Sequence, residues 1–268
     1  GTDMANHDGG FSTFRVDITA LLKEQNELTF IADNSKNDFV YPQKADFTFY
    51  GGIYRTVSLL VVSKDHIALD YLGGPGVQIT PTVQGANADI RVETRVSGEG
   101  EVAISILDAE GREVLAGKGG DTTLTMEDPH LWDGIRDPYL YTCVVRLMKD
   151  GQPVDEVRSF SVEAKQGFFL NGRPYPLHGV SRHQDRKGLG NAITREMHDE
   201  DMQLIKELGA NTIRLAHYQH DQYFYDLCDE VGMVVWAEIP YISEHMPNGR
   251  ANTISQMKEL IVQNYNHA

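Results

Sequence analysis

The sequence has few cysteines, too few basic residues to balance its acids, and no long apolar run. Its two cysteines, Cys143 and Cys228, stand where apolar side chains are expected, so we predict buried free thiols and no disulfide. Lys and Arg number 24 against 39 Asp and Glu, for a formal net charge of −15. This balance argues against nucleic acid or an anionic membrane as partner, because both attract clustered cations. No apolar stretch approaches the roughly 20 residues of a membrane span, and no secretory signal is visible, which leaves the compartment open.

The first zone, residues 1–74, consists of short segments in which apolar and polar residues alternate. It opens on a Gly9-Gly10 turn without a preceding strand, so we expect a β domain whose first strands are missing. It ends at Gly73–Gly76, a cluster that predicts a domain boundary. The alternation predicts half-buried strands. Their apolar positions are Phe14, Val16, Ile18, Leu28, Phe30, Val57, Leu59 and Val61.

The second zone, residues 75–163, keeps the period of two and adds clear turn signals. Asp150-Gly151 is typical of a two-residue hairpin, and Asp108–Gly111 is a second turn. Alternating apolar residues run through several segments between these turns. Short strands at this spacing predict a complete immunoglobulin-like β-sandwich.

In the third zone, residues 164–268, strand-like runs alternate with helix-like runs. The predicted strands are Tyr175–Val180, Thr212–Leu215 and Met233–Ala237. This order predicts the first three units of a parallel α/β fold, and a closed (β/α)₈ barrel would need about 250 residues. The predicted helices are defined by apolar residues at helical spacing. These are Met202, Ile205 and Leu208, then Phe224, Leu227, Cys228 and Val231, then Ile254, Met257, Leu260 and Ile261.

Four segments together carry a resemblance to a known family. They are Asp46–Arg55, Leu131–Tyr141, Leu170–Asp185 and Ile213–Tyr218. In this order they resemble glycoside hydrolase family 2, whose members carry a jelly-roll sugar-binding domain, an immunoglobulin-like sandwich and a catalytic TIM barrel. The resemblance implies that the three zones are, in turn, the C-terminal part of the jelly roll, the whole sandwich and the N-terminal part of the barrel.

One stretch indicates the sugar. His183-Gln184-Asp185, followed by Gly188 and Gly190-Asn191, looks more like β-galactosidases than like β-glucuronidases. We therefore expect the parent protein to hydrolyse terminal β-D-galactosides with retention of configuration. Two alternatives stay open: a β-glucuronidase of the same family, and a non-catalytic carbohydrate-binding or interaction module.

The catalytic acids themselves are not expected within this sequence. Retaining glycosidases use two carboxylic acids about 5 to 5.5 Å apart, an acid/base and a nucleophile. In the family these glutamates follow later barrel strands, the first of them after an Asn-His-Pro-like stretch, and this sequence ends at Asn266-His267-Ala268. We expect both to lie beyond residue 268 and the chain alone to be inactive.

The resemblance implies three sugar-holding side chains. Asp46 is expected to reach the barrel mouth and accept hydrogen bonds from sugar hydroxyls, since a carboxylate offers several acceptor sites. His183 and His217 are expected just past the first two barrel strands, at the face where barrel enzymes keep their sites. Imidazole suits a sugar hydroxyl because one ring nitrogen donates while the other accepts. Without the motifs, each of the three would be interpreted as a solvated loop residue.

Three further residues are expected to support the site. Arg214 matches an arginine that hydrogen-bonds the nucleophile and keeps it ionised, so within this chain it is expected to lack its partner. Glu238, at the end of the third strand, is expected to support the site from behind. Arg182 is either a similar support or an ordinary salt-bridging residue, and both interpretations stay open.

No cofactor and no metal are expected. Some β-galactosidases of the family bind magnesium through Glu-x-His, and the corresponding Ile242-Ser243-Glu244 lacks that pattern. His217-x-x-His220-Asp221 lacks the histidine pair and intervening Glu of a zinc protease helix. The expected partner is a β-galactoside. The open barrel is also expected to favour self-association, because it leaves strand edges and apolar faces uncovered.

Overall fold

The computed structural model describes residues 2–161 and 169–268. These residues form an irregular N-terminal segment, a β-sandwich and three β/α units. The predicted boundary between residues 163 and 164 lies outside the described residues.

The N-terminal segment, residues 2–65, does not form the strands that the alternation predicts. Within it the structure has a single 3₁₀ turn, Thr19–Leu21, and no β-strand. The alternating apolar side chains are largely exposed, with Phe14 at 50%, Leu59 at 70% and Val61 at 86%. The prediction is wrong because a strand is held by hydrogen bonds to a neighbouring strand, and no described segment pairs with these residues.

The sandwich is built from two antiparallel sheets, as predicted. One sheet has the order β2-β3-β7 and the other β6-β5-β8-β9, while β1 and β4 pair beside them. In chain order the strands are β1 (His66–Ile67), β2 (Val77–Gln84), β3 (Asn87–Thr94), β4 (Val96–Ser97), β5 (Glu101–Leu107), β6 (Glu113–Lys118), β7 (Asp121–Glu127), β8 (Tyr141–Lys149) and β9 (Gln152–Ser161).

The alternating residues of both sheets meet in one apolar core. Val92, Ile104, Val145 and Leu147 are at most 1% exposed there. The hairpin between β8 and β9 turns at Asp150-Gly151, where both residues have positive φ, 51° and 75°. A two-residue hairpin turn of this type needs that conformation, which explains why the sequence signal was informative.

The three β/α units follow in the predicted order. Their strands form one parallel sheet in the order β12-β13-β14, and each outer strand is paired on one side only among the described residues. As far as the described residues show, the sheet is therefore open. The elements are β10 (Phe169–Leu170), β11 (Arg173–Pro174), β12 (Gly179–Arg182), α1 (Arg195–Glu207), β13 (Thr212–Leu215), α2 (Gln222–Val231), β14 (Val234–Ala237) and α3 (Arg250–Gln263).

The first barrel strand begins later than predicted. The sequence pattern placed a strand at Tyr175–Val180, whereas β12 starts at Gly179. Tyr175 instead packs into a small core with Trp132 and Leu170, at the junction of the sandwich and the β/α units. The prediction mistook this junction for a part of the strand because both are apolar.

The apolar residues that predicted α3 lie mostly on its exposed side, and its buried face is largely polar. Ile254, Met257 and Ile261 are exposed at 39%, 41% and 52%, although Leu260 is buried. The buried side chains are polar and include Asn252, Gln256, Glu259 and Gln263. We call these four residues the polar stripe of α3. It contacts the N-terminal segment, whose irregular backbone needs hydrogen-bond partners that an apolar face cannot supply.

Both cysteines are buried and free, as predicted, Cys143 on β8 and Cys228 on α2. Burial raises the pKa of the Cys143 thiol to about 12. Among the described residues, no helix combines the length and the apolar character that crossing a membrane requires.

Candidate functional site

Three predicted site residues lie where the parallel strands end. His183 follows β12 directly, His217 comes two residues after β13, and Glu238 follows β14. The carboxyl ends of neighbouring parallel strands meet at one edge of a sheet, so these side chains converge. The imidazole rings of His183 and His217 are 5.1 Å apart, edge to face.

Arg214, which was expected to lack the nucleophile as its partner, pairs with a different carboxylate, that of Glu238. Its Nε donates to Oε1 of Glu238 at 2.6 Å, and its Nη2 lies 3.2 Å from Oε2 of the same carboxylate. His217 Nδ1 lies 3.2 Å from Arg214 Nη2 and also 3.2 Å from Glu238 Oε2, so its tautomer decides whether it accepts or donates. Glu238 thus forms an ion pair with the Arg214 guanidinium, which was expected to bind the nucleophile.

Asp46 is brought to this edge from the N-terminal segment. Its neighbour Phe47 stacks on the His217 ring at 5.9 Å and contacts the His183 ring at 5.6 Å. Asp46 is exposed, and its negative charge acts on His183. The structure therefore brings His183 and His217 together and places the segment that carries Asp46 against them.

The electrostatics at His183 favour the neutral ring. Burial is the largest effect that lowers the pKa of His183, and the neighbouring His217 lowers it further. The charges of Asp185 and Asp46 act in the opposite direction. A neutral imidazole can both donate to and accept from hydroxyl groups, which is the hydrogen-bonding pattern of a polyol.

Arg182 lies behind this edge and does not face the solvent. Arg182 is 6% exposed, and its guanidinium binds Asp201 Oδ2 of α1 through Nε at 3.0 Å and Nη2 at 2.6 Å. It also donates to Nδ1 of His198 at 3.0 Å and Nδ1 of His220 at 3.1 Å, and it stacks over Phe224. Arg182 joins β12 to α1 and α2, so its contacts fit a supporting role without reach to a sugar.

The stretch that suggested a galactoside has structural contacts. Gln184, 1% exposed, accepts from the backbone N–H of Asp221, the residue that caps α2. Gly190 has a φ of +58°, and a Cβ there would meet the Tyr50 ring at 2.8 Å. Asn191 is buried beside Tyr54. These residues stabilise the loop after β12, so their presence does not distinguish a galactoside from a glucuronide as substrate.

The histidine and aspartate that follow His217 are also part of the packing. His220 is fully buried, and its Nε2 donates to the Ala216 carbonyl at 3.0 Å. Burial lowers the pKa of His220 well below its ordinary value. Within residues 2–161 and 169–268 there is no group of three or more acidic, His or Cys side chains arranged to hold a metal ion.

Sequence reasoning missed a set of aromatic and basic residues around the site. Phe47 and Tyr218 contact each other, and Tyr218 stacks on Phe11 at 4.4 Å. Arg55 binds the backbone beside them. Phe47 and Arg55 both belong to the first motif, and Tyr218 ends the fourth, so the motifs contained them without indicating their contacts.

Comparison with known proteins gives two family matches. The pattern described as "Glycosyl hydrolases family 2" matches residues 75–167, and "Glycosyl hydrolases family 2, TIM barrel domain" matches residues 160–267.

Similar individual proteins carry two different enzyme names. A β-glucuronidase of Bacteroides fragilis is 38% identical, over 98% of this chain and 43% of its own length. A β-galactosidase of Thermoanaerobacter pseudethanolicus is 28% identical, over 100% of this chain and 38% of its own. The crystal structure of an FMN-binding β-glucuronidase from Faecalibacterium prausnitzii superposes with a TM-score of 0.92 at 42% identity, covering 98% of this chain and 44% of that one. The chain thus spans less than half the length of these relatives.

Proposed function

The chain belongs to glycoside hydrolase family 2, and from that membership we propose that it forms the sugar-holding part of a retaining β-glycosidase that acts on β-D-glucuronides. The observation that carries the proposal is the convergence of His183 and His217 at the carboxyl edge of the parallel sheet, with Asp46 near enough for its charge to act on His183. Asp46 accepts hydrogen bonds from sugar hydroxyls, and the two imidazoles donate or accept beside it.

The two catalytic carboxylates of such an enzyme are not assigned to the described residues. A retaining mechanism needs an acid/base and a nucleophile that is free to attack the anomeric carbon. Glu238 lies at the correct edge of the sheet, but its carboxylate is held by Arg214 and His217. We therefore propose that Arg214 and Glu238 shape the wall of the site, and that the sugar lies beside them.

Two observations favour a glucuronide over a galactoside. The relatives with the higher sequence identity, at 38% and 42%, carry the name β-glucuronidase. In addition, Gln184 and Asn191, which suggested a galactoside, are occupied by contacts within the protein. A β-galactoside is the second candidate, since a β-galactosidase is also among the similar proteins.

The test is turnover of nitrophenyl β-D-glucuronide and nitrophenyl β-D-galactoside, by this chain and by the full product of its gene. We expect the full product to prefer the glucuronide by at least about tenfold in kcat/KM, which corresponds to about 1.4 kcal/mol. A preference for the galactoside would support the second candidate. Turnover of neither substrate by either protein would contradict the glycosidase proposal. Turnover by the 268-residue chain alone would contradict our proposal that neither catalytic carboxylate is among its described residues.

The roles of the histidines are tested in whichever protein is active. His217→Gln and His183→Gln are each expected to lower kcat/KM by about 10- to 100-fold, because each removes hydrogen bonds to the sugar. His66→Gln, which changes a histidine on β1, is the matched control and should leave kcat/KM unchanged.

A further inference from the structure

The proposed site is assembled from segments that are far apart in the sequence. Asp46 and Phe47 come from the N-terminal segment, whereas His183 and His217 follow β12 and β13. Phe47 touches both histidine rings. A contact between rings alone would let Phe47 shift along the histidines. The position of Asp46 therefore depends on what else holds the segment 46–55 in place.

Arg55 holds the other end of that segment against the β/α units. Its Nη2 donates to the backbone carbonyl of Gln219 at 2.8 Å, two residues beyond His217. Its Nη1 donates to the carbonyl of Phe11 at 2.5 Å, and the Phe11 ring stacks on Tyr218. One guanidinium thus joins three separate stretches of chain immediately beside the site.

The charge of Arg55 has no carboxylate partner among the ion pairs of the described residues. Its Nε is buried and has no hydrogen-bond partner. A guanidinium is planar and presents its donors in a rigid fork, which can bridge two carbonyls in fixed positions. A lysine ammonium keeps the charge but has no such fork, so charge and geometry can be separated by substitution.

From these contacts we infer that Arg55 is a positioning residue, which sets the place of Asp46 relative to His183 and His217. The inference rests on the proposed function in one respect only, namely that these three side chains hold the sugar. Arg55 itself would touch no substrate. It acts through the segment 46–55, which it ties to the loop that carries His217.

The test is an NMR titration of the His183 ring in the 268-residue chain, which needs no turnover. Asp46→Asn should lower the pKa of His183, because the Asp46 charge favours the imidazolium. Arg55→Lys should lower the pKa as well, since Asp46 would move away while the net charge stays constant. In the Asp46→Asn background, Arg55→Lys should cause no further change.

Arg15→Lys is the matched control. Arg15 also donates to two backbone carbonyls, those of Leu69 and Gly74 at 3.1 and 2.6 Å. It should lose a similar amount of stability in thermal unfolding and leave the His183 titration unchanged. This contrast separates a positioning role from a general structural one.

Several results would overturn the inference. An unchanged His183 titration in Arg55→Lys would do so, and so would an Asp46→Asn variant without effect, because Asp46 would then not act on His183. If Arg55→Lys does not fold, Arg55→Gln replaces it. Failure of both to fold, while Arg15→Lys folds, would make Arg55 a folding determinant and contradict the inference. None of these results depends on the substrate, so failure here is distinct from failure of the proposed function.

Discussion

At the scale of single residues, the buried guanidinium of Arg182 depends strongly on its partners in the β/α units. Its side chain is 5% exposed, and Asp201 is the carboxylate that balances its charge. Burying a charge costs several kcal/mol unless a partner and hydrogen bonds compensate. His198 and His220 accept from it as neutral rings, and burial lowers the pKa of both.

Asp201→Asn is therefore expected to lower the free energy of unfolding by about 2 to 4 kcal/mol, the lower value reflecting partial exposure of Asp201. Urea denaturation measures this loss. Asp199→Asn is the matched control on the same helix: its carboxylate binds the exposed Tyr223 hydroxyl, and the change should stay within about 0.5 kcal/mol. Equal losses in the two variants would show that Arg182 does not depend on Asp201.

The pH dependence of stability should reflect His198. Burial, followed by the Arg182 charge, lowers the pKa of His198 to about 4 from an ordinary value near 6.5. Between these values the unfolded chain binds the proton and the folded chain does not, so this residue destabilises the fold as the pH falls. His198→Gln should reduce the difference in unfolding free energy between pH 7 and pH 5.

His7 is expected to affect the difference in unfolding free energy between pH 7 and pH 5 in the opposite direction. The hydrogen bond to Glu259 raises the pKa of His7, so its contribution is present at low pH and is lost as the pH rises through that raised pKa. His7→Gln should therefore enlarge the difference in stability between pH 7 and pH 5. If both variants changed the difference in the same direction, the assignment of protons to these two histidines would be wrong.

At the scale of elements, α3 shows how a helix can be held by its polar side. Gln263 Nε2 donates to the carbonyls of Thr13 at 2.9 Å and Leu72 at 2.7 Å. Its Oε1 accepts from the Thr13 N–H at 3.0 Å, so one amide satisfies both backbone groups of Thr13. Glu259 binds the side chains of His7 and Ser12 in the same segment. The polar stripe replaces the neighbouring strand that the N-terminal segment lacks among the described residues.

Gln263→Leu should loosen the N-terminal segment, since it leaves partly buried backbone groups of Thr13 and Leu72 without this partner. We expect a loss of about 1 to 3 kcal/mol in unfolding free energy and faster tryptic cleavage after Arg15 and Lys23. Gln203→Leu on the exposed face of α1 is the control and should change neither. Unchanged cleavage in Gln263→Leu would mean that other contacts hold the segment.

At the scale of the whole molecule, apolar surface is left uncovered in several places. Exposed apolar side chains lie along the N-terminal segment and on α3, and Trp236 on the outer strand β14 is 63% exposed. Exposed apolar patches and free strand edges are features of surfaces that associate. The net charge of −15 opposes close approach of copies, and salt screens that repulsion.

The chain is therefore expected to self-associate more strongly as ionic strength rises. The double variant Ile254→Lys and Ile261→Glu should weaken the association in sedimentation velocity and change the unfolding free energy by less than about 0.5 kcal/mol per site. Leu260→Lys, which alters a buried position on the same helix, should instead destabilise the fold. Unchanged association in the double variant would exclude the apolar face of α3 as the contact.

The sequence alone determined features that depend on close neighbours in the chain. The Asp150-Gly151 hairpin, the two-sheet sandwich and the order of the three β/α units follow from turn chemistry and hydrophobic period. The same patterns located β13 and β14, after which His217 and Glu238 follow, whereas the strand before His183 was predicted too early in the chain. The family motifs added Asp46, which no local pattern distinguishes from other loop acids.

The tertiary structure alone decided features that depend on partners far away in the sequence. Gln263 and Thr13 are separated by 250 residues, so no local pattern could show that α3 buries its polar face. The pairing of Arg214 with Glu238 across 24 residues and the hydrogen bond from the Asp221 N–H to Gln184 were likewise invisible. Period and propensity describe which face of an element is apolar, but the groups that pack against that face determine whether it is buried.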